Sequence, residues 1–191
     1  MKRQSILTIG LMTLALVGCK NTEKKETTET VVEEVVTEVA EAKKIMIKLE
    51  AKSGSTATGM VTFTEENGQV KMEAHINGLT PGEHAIHIHE SSDCSAADGT
   101  STGGHWNPTF QPHGKWGSEE GYHRGDIGNF TADESGHGMI TMTTDQWCLG
   151  CEDETKNIIG KAIIVHAGVD DFVTQPTGDA GGRVSCGGII E

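Results

Sequence analysis

From residue 45 onward the chain alternates. Ile45, Ile47 and Leu49 take turns with Met46, Lys48 and Glu50, and Val70, Met72, Ala74 and Ile76 with Lys71, Glu73, His75 and Asn77. Successive side chains of a strand point to opposite faces, so each run describes a strand with one apolar and one solvated face. TGMVTFTE, HAIHIHE, DIGNFTA, GHGMITMT, IIGKAIIVH and RVSCGGII extend the reading, and ENGQ, TPGE and DESG between them carry the residues of tight turns. Eight short strands without a convincing helix predict an all-β fold, an antiparallel sandwich or barrel. Two connections, 91–124 and 170–182, are too long to be turns, and long structureless loops in a compact domain are usually functional.

Residues 1–44 break the pattern. Lys2 and Arg3 precede an apolar run over 6–17, followed by LVGC. Such a run falls short of the roughly 20 residues of a membrane span and suits the hydrophobic region of a secretory signal. LVGC resembles a bacterial lipobox, whose cysteine, here Cys19, is acylated and becomes the mature N-terminus. The expectation is a signal peptide at 1–18, a membrane anchor on Cys19, and residence in the bacterial cell envelope on its periplasmic or extracellular side. Residues 19–44 follow as an acidic, disordered tether rich in Glu, Thr and Lys, without aromatic residue or glycine. Val31, Val35 and Val39 recur at helical spacing and leave a short helix open, but they are too few for a coiled coil. The remainder, 45–191, suits one domain with a single core.

The formal charge of −13 becomes more negative once a signal bearing Lys2 and Arg3 is removed. That balance argues against a nucleic-acid partner, because phosphate binding needs clustered Lys and Arg. Of the 9 histidines, three stand in HAIHIHE. His87 and His89, two apart on a strand, project to the same side. Such a pair alone is a weak metal signal. What strengthens it is the stretch that follows, with His105, His113, His123 and Asp126, and the late strand ending at His166. Imidazole with carboxylate suits zinc, and several imidazoles suit copper.

Taken together and in this order, GLTPGEHAIHIHE, GGHWNP, HGKWG, HRGDIGNF, GKAIIVHAGVDD and PTGDAGGRVSCGGI resemble the copper-zinc superoxide dismutase family over nearly all of 45–191. The resemblance implies an eight-stranded Greek-key barrel with two functional loops. It implies copper on His87, His89, His105 and His166, zinc on His105, His113, His123 and Asp126, and His105 shared between them. Asp170 would bridge His87 and His113, and His84 would be structural. Arg183 would attract and orient superoxide, and Cys94 would pair with Cys186. The implied activity is disproportionation of superoxide to oxygen and hydrogen peroxide, with copper redox-active, zinc structural and His105 passing a proton. The alternative is a copper- and zinc-binding lipoprotein without turnover, which would need neither Arg183 nor an open copper position. A surface adhesin would leave the histidine order unexplained.

Cys148 and Cys151, in WCLGCEDE, depart from the family pattern. A small disulfide, a thiol redox motif and a metal half-site are all open. Without a βαβ context or a second CxxC, the structural disulfide is favoured. His75 sits in a polar register and reads as solvated, and His137, in SGHG, carries no visible constellation.

Overall fold

The computed structural model describes residues 42–191. The expected signal peptide, Cys19 and the tether up to residue 41 lie outside the described residues. Eight strands follow: β1 (Lys43–Ala51), β2 (Thr58–Glu66), β3 (Gln69–Asn77), β4 (Gly82–His89), β5 (Gly128–Ala132), β6 (Gly138–Thr144), β7 (Ala162–His166) and β8 (Arg183–Gly188). They close into an antiparallel barrel in the order β1-β2-β3-β6-β5-β4-β7-β8. The chain leaves β3, crosses the barrel end to β4, and returns by β5 and β6 to lie beside β3, the Greek-key path. Closure leaves no free sheet edge.

The simple alternation is realised in β1, β2 and β3. Ile45, Ile47, Leu49, Val61, Phe63, Val70, Met72, Ala74 and Ile76 are buried in one core. At the hairpin between β2 and β3, Asn67 and Gly68 have φ of 53° and 74°. Two successive left-handed residues make the primed turn whose twist matches the flanking strands, which is why Asn-Gly stands there.

β4 and β7 differ, because every residue from His84 to His89 and from Ala162 to His166 is buried. Ile86, Ile88, Ile163 and Val165 enter the main core. The opposite face carries His87, His89 and His166, and in a one-sided sheet it would meet water. Here the long connections cover it. Trp106 donates its backbone N–H to Ile88 O at 2.8 Å, and Ile88 donates to Gly125 O at 2.9 Å, so the loop runs along β4 where β5 has ended. A Cβ on Gly125 would lie 2.2 Å from Ile88 O, which explains the glycine of HRGD.

Several boundaries differ from expectation. β1 begins at Lys43, before Ile45. β5 begins at Gly128, so Asp126 and Ile127 belong to the loop. Ile158 and Ile159 are not part of β7, and residues 145–161 form a third long connection. Ile158 is nonetheless fully buried, plugging the core without joining a ladder, which is why its apolar character read as strand.

Candidate functional site

Seven side chains converge under the loops. The donor atoms of His87, His89, His105 and His166 lie within 4.8 Å of one another, as do those of His105, His113, His123 and Asp126. All are buried. β4 and β7 supply His87, His89 and His166, and the loop between β4 and β5 supplies the rest. His105 is drawn to the wall by a bridge to His89, and its ring centroid lies 4.0 Å from that of His87.

Each imidazole has one nitrogen spoken for, with one exception. His87 Nε2 meets Asp170 Oδ2 at 2.8 Å, His89 Nδ1 meets Gly103 O at 2.9 Å, and His166 Nδ1 meets Gly181 O at 3.2 Å. His113 Nε2 meets Asp170 Oδ1 at 2.9 Å, and His105 Nδ1 meets Asp126 Oδ1 at 2.8 Å. Among the described residues no such anchor is found for His123. The facing atoms, His87 Nδ1, His89 Nε2, His105 Nε2, His113 Nδ1, His123 Nδ1 and His166 Nε2, are buried and, among the described residues, have no hydrogen-bond partner. His113 Nδ1 and His123 Nδ1 approach Asp126 to 3.0 and 3.2 Å but without hydrogen-bond alignment. A buried polar atom left unpaired costs about 1–3 kcal/mol, and six around two common centres are what a pair of cations would satisfy. The residues therefore fit the group: four imidazoles around one centre, and three imidazoles with a carboxylate around the other.

Electrostatics separate the centres. Burial first, then repulsion from neighbouring cluster histidines, pushes His89 down to about 2 and His166 down to about 3. Burial likewise pushes His105 down to about 4, against the pull of Asp126. His113 goes the other way: burial opposes its charge, but Asp126 and Asp170 together outweigh burial and raise it to about 9. Asp126 itself sits far below the usual carboxylate range, because its contacts with three histidines and the His123 N–H overcome its burial.

Asp170 spans the two clusters, one oxygen on His87 and the other on His113. Three contacts hold it. Asn129 accepts from its backbone N–H and donates to its carbonyl, both at 2.9 Å, and the Phe172 N–H donates to Oδ1 at 2.7 Å. Gly178, at φ 72°, leaves room for the carboxylate, since a Cβ there would fall 1.9 Å from Oδ1.

Arg183 starts β8, half-buried. Nη1 donates to Gly99 O at 2.8 Å and to Thr102 Oγ1 at 2.9 Å, and Nη2 donates to Gly103 O at 2.8 Å. Gly103 O also accepts from His89, so one carbonyl links the guanidinium to the four-imidazole cluster. A disulfide joins Cys94 to Cys186 across 92 residues, with Cα atoms 5.9 Å apart. Beneath it pack Ala162 and Ile164. Closing a loop of that length stabilises by roughly 4.6 kcal/mol in the chain-entropy picture.

A second disulfide joins Cys148 to Cys151, which leaves no free thiolate there to hold a metal. It sits beside Trp147, whose Nε1 donates to Arg124 O at 2.9 Å and whose ring meets Trp116 edge-on at 5.5 Å. The third connection thus props the loop bearing His113 and His123. His84 spans the carbonyls of His166 and Thr80, both at 2.8 Å, and so fixes the end of β7.

Sequence reasoning missed Asn129, and also Gln175, which accepts from the His113 N–H at 2.9 Å and donates to its carbonyl at 2.8 Å. The one available signal was position: Gln175 lies in the loop 170–182 already marked as functional.

The model of the family described as copper/zinc superoxide dismutase (SODC) matches residues 57–189. Among solved structures, a double mutant of a SOD-like protein from Bacillus subtilis is 30% identical, with a TM-score of 0.68, 76% of this chain covered and 97% of that one. The clock protein EA4 is 36% identical, with a TM-score of 0.66, 77% of this chain covered and 94% of that one. Family match, barrel and histidine clusters agree: the chain belongs to the copper/zinc superoxide dismutase family.

Proposed function

We propose that the protein disproportionates superoxide, converting two superoxide anions and two protons into one molecule of oxygen and one of hydrogen peroxide. The observation that carries this reading is the pair of buried clusters with unpaired donor nitrogens, unlike in composition and joined by His105. His87, His89, His105 and His166 would hold copper, and His105, His113, His123 and Asp126 would hold zinc. Copper would supply the one-electron change, accepting an electron from one superoxide and returning it to the next.

The chain's own residues do the rest. His105 directs Nδ1 toward Asp126 and leaves Nε2 facing the other histidines, so it can hold a proton at Nε2 while its other face stays fixed. Asp170 keeps His87 and His113 in register. Gly103 O and Gly181 O set which nitrogen of His89 and His166 faces inward. Arg183, a permanent cation locked by three hydrogen bonds, presents positive charge to a small anion. The chain's overall acidity does not oppose this. Charges farther off than a Debye length, about 8 Å at physiological salt, are largely screened.

A reading without turnover is favoured by the description of one structural relative as SOD-like. The pinned Arg183 favours the enzyme, because a metal store has no use for a cation fixed beside its ligands. Pulse-radiolysis decay of superoxide separates the two. The metal-loaded protein is expected to consume many superoxide ions per copper, whereas consumption stopping near one per copper would leave a store.

Cys19 is proposed to carry lipid after signal cleavage, placing the domain in the cell envelope at a membrane surface; the support is the LVGC motif after a short apolar run. Stable anchoring takes more than one acyl chain, or one chain with a second signal. Cys19→Ser should move the protein out of the membrane fraction. An unmutated protein that is wholly soluble, with an N-terminus other than Cys19, would remove the proposal.

A further inference from the structure

Across the closed barrel from β7 lies β3, and its outer face carries side chains that neither the core nor the histidine clusters use. The register sets Met60 opposite His75 on one side and Met139 opposite His75 on the other. Directly opposed residues bring Cβ atoms to about 4.5–5.5 Å, so two thioethers flank one imidazole in a lateral row. All three are exposed, Met60 at 43% and Met139 at 57%. The other outward positions of these strands are polar: Thr58, Thr62, Thr64 and Glu66 on β2, and Thr141 and Thr143 on β6. On β2 and β6 an outward methionine stands only where the neighbour is His75.

His137 joins the row from the turn before β6. Its ring centroid lies 6.1 Å from that of His75. Its backbone is fixed by bonds in both directions with Asp133, the Asp133 N–H donating to His137 O at 2.9 Å and the His137 N–H to Asp133 Oδ1 at 3.0 Å. Two imidazoles and two thioethers therefore stand together on the outer wall.

We propose that Met60, His75 and Met139, with His137 beside them, form a surface site for a soft monovalent cation, copper(I) among biological metals. Thioether sulfur is a weak ligand for zinc or magnesium but a good one for copper(I), and imidazole completes such a set. No carboxylate belongs to the row. Glu73, two residues from His75 on the same face, is engaged by Lys71 at 2.9 Å, and Asp133, beside His137, accepts from the N–H groups of Ser135 and His137 and from the Ser135 hydroxyl; with both carboxylates engaged, a divalent ion needing anionic ligands is disfavoured. Methionine has freely turning torsions, so each sulfur can swing over the His75 ring. The site is independent of the histidine clusters and would let the barrel take up reduced copper on the wall opposite them.

The test uses the full-length chain with 13C-methyl methionine, saturated with zinc, in chloride-free buffer. Silver(I), a redox-inert substitute for copper(I), is titrated in while methyl and imidazole resonances are followed. Met46 is the internal control, because it is 58% exposed on the same outer face but opposes Thr62 instead of a histidine. One equivalent of silver should shift the methyls of Met60 and Met139 and the rings of His75 and His137, leaving Met46 unmoved. The exposed double variant Met60→Leu with Met139→Leu should weaken that binding at least about tenfold with the His137 ring and fold unchanged. Met46 shifting as far as Met60, or Met60 and Met139 staying still, would overturn the site.

Discussion

The two histidine clusters share His105 and lie under the same loops, yet their chemistry is opposed. In the four-imidazole cluster no carboxylate enters, and burial with mutual repulsion keeps His89, His105 and His166 neutral far below neutral pH, at about 2, 4 and 3. Its ligands are held from behind, by Gly103 O, Gly181 O and Asp170. In the other cluster Asp126 sits among the ligands and raises His113, jointly with Asp170, to about 9. Those three imidazoles of the first cluster are pre-set to accept a metal without displacing a proton. The second must release a proton from His113 when a metal arrives. On the proposed function, the first would take the ion that changes charge and the second the ion that stays divalent.

The sharpest way to break the comparison is to delete a ligand from one side. His166→Ala should lower affinity for copper at least about hundredfold, beyond the 10–100-fold typical of supporting partners, while zinc stays bound by elemental analysis. Asp126→Ala should do the converse, releasing zinc first and leaving copper bound in a looser site. Equal loss of both metals from a folded Asp126→Ala protein would mean the clusters are not distinct. Asp170→Asn should weaken both together, by about 10–100-fold each, because that carboxylate touches one histidine of each cluster. A loss confined to one metal would separate Asp170 from its bridging role.

How far this comparison was legible beforehand depends on the burial of each strand. β1, β2 and β3 announced themselves because one face stays wet. β4 and β7 are buried on both faces, and there the histidines of HAIHIHE, out of place in a core, were the signal. His105, His113, His123 and Asp126 sit in irregular loop with no periodicity, so only resemblance to a family could assign them. The carbonyls of Gly103 and Gly181 were invisible, since a backbone acceptor leaves no trace in residue identity. Ile158 misled, because an apolar side chain plugging a core from a loop reads like one on a strand.

Smaller effects sharpen the contrast further. Arg183→Glu reverses the charge next to the four-imidazole cluster while Cys94–Cys186 still pins the loop. Both metals should remain, and the second-order rate should fall at least about tenfold, or about 1.4 kcal/mol in the barrier. The native rate should decline as salt rises, and the Glu variant's less so. An unchanged rate with both metals in place would take Arg183 out of the reaction.

The metal-free protein should titrate on two limbs. Folded-state values for His89, His105 and His166 lie below the ordinary 6.5, so the unfolded chain binds more protons and their contribution, present above about 6.5, is lost as pH falls toward 4. His113 is raised to about 9, so its contribution is full below about 6.5 and is lost as pH rises through 9. Urea midpoints between pH 4 and 10 should show a steep acid limb, a shallow alkaline one, and flattening of both on metal loading.

The central claim is that electron transfer belongs to the four-imidazole cluster alone. Superoxide decay by the His166→Ala protein with zinc bound, set against the Asp126→Ala protein with copper bound, tests it directly. The first should show no turnover above the spontaneous rate, and the second should retain catalytic consumption, slowed by its looser geometry. Decay by zinc-loaded His166→Ala as fast as the native protein would contradict the assignment.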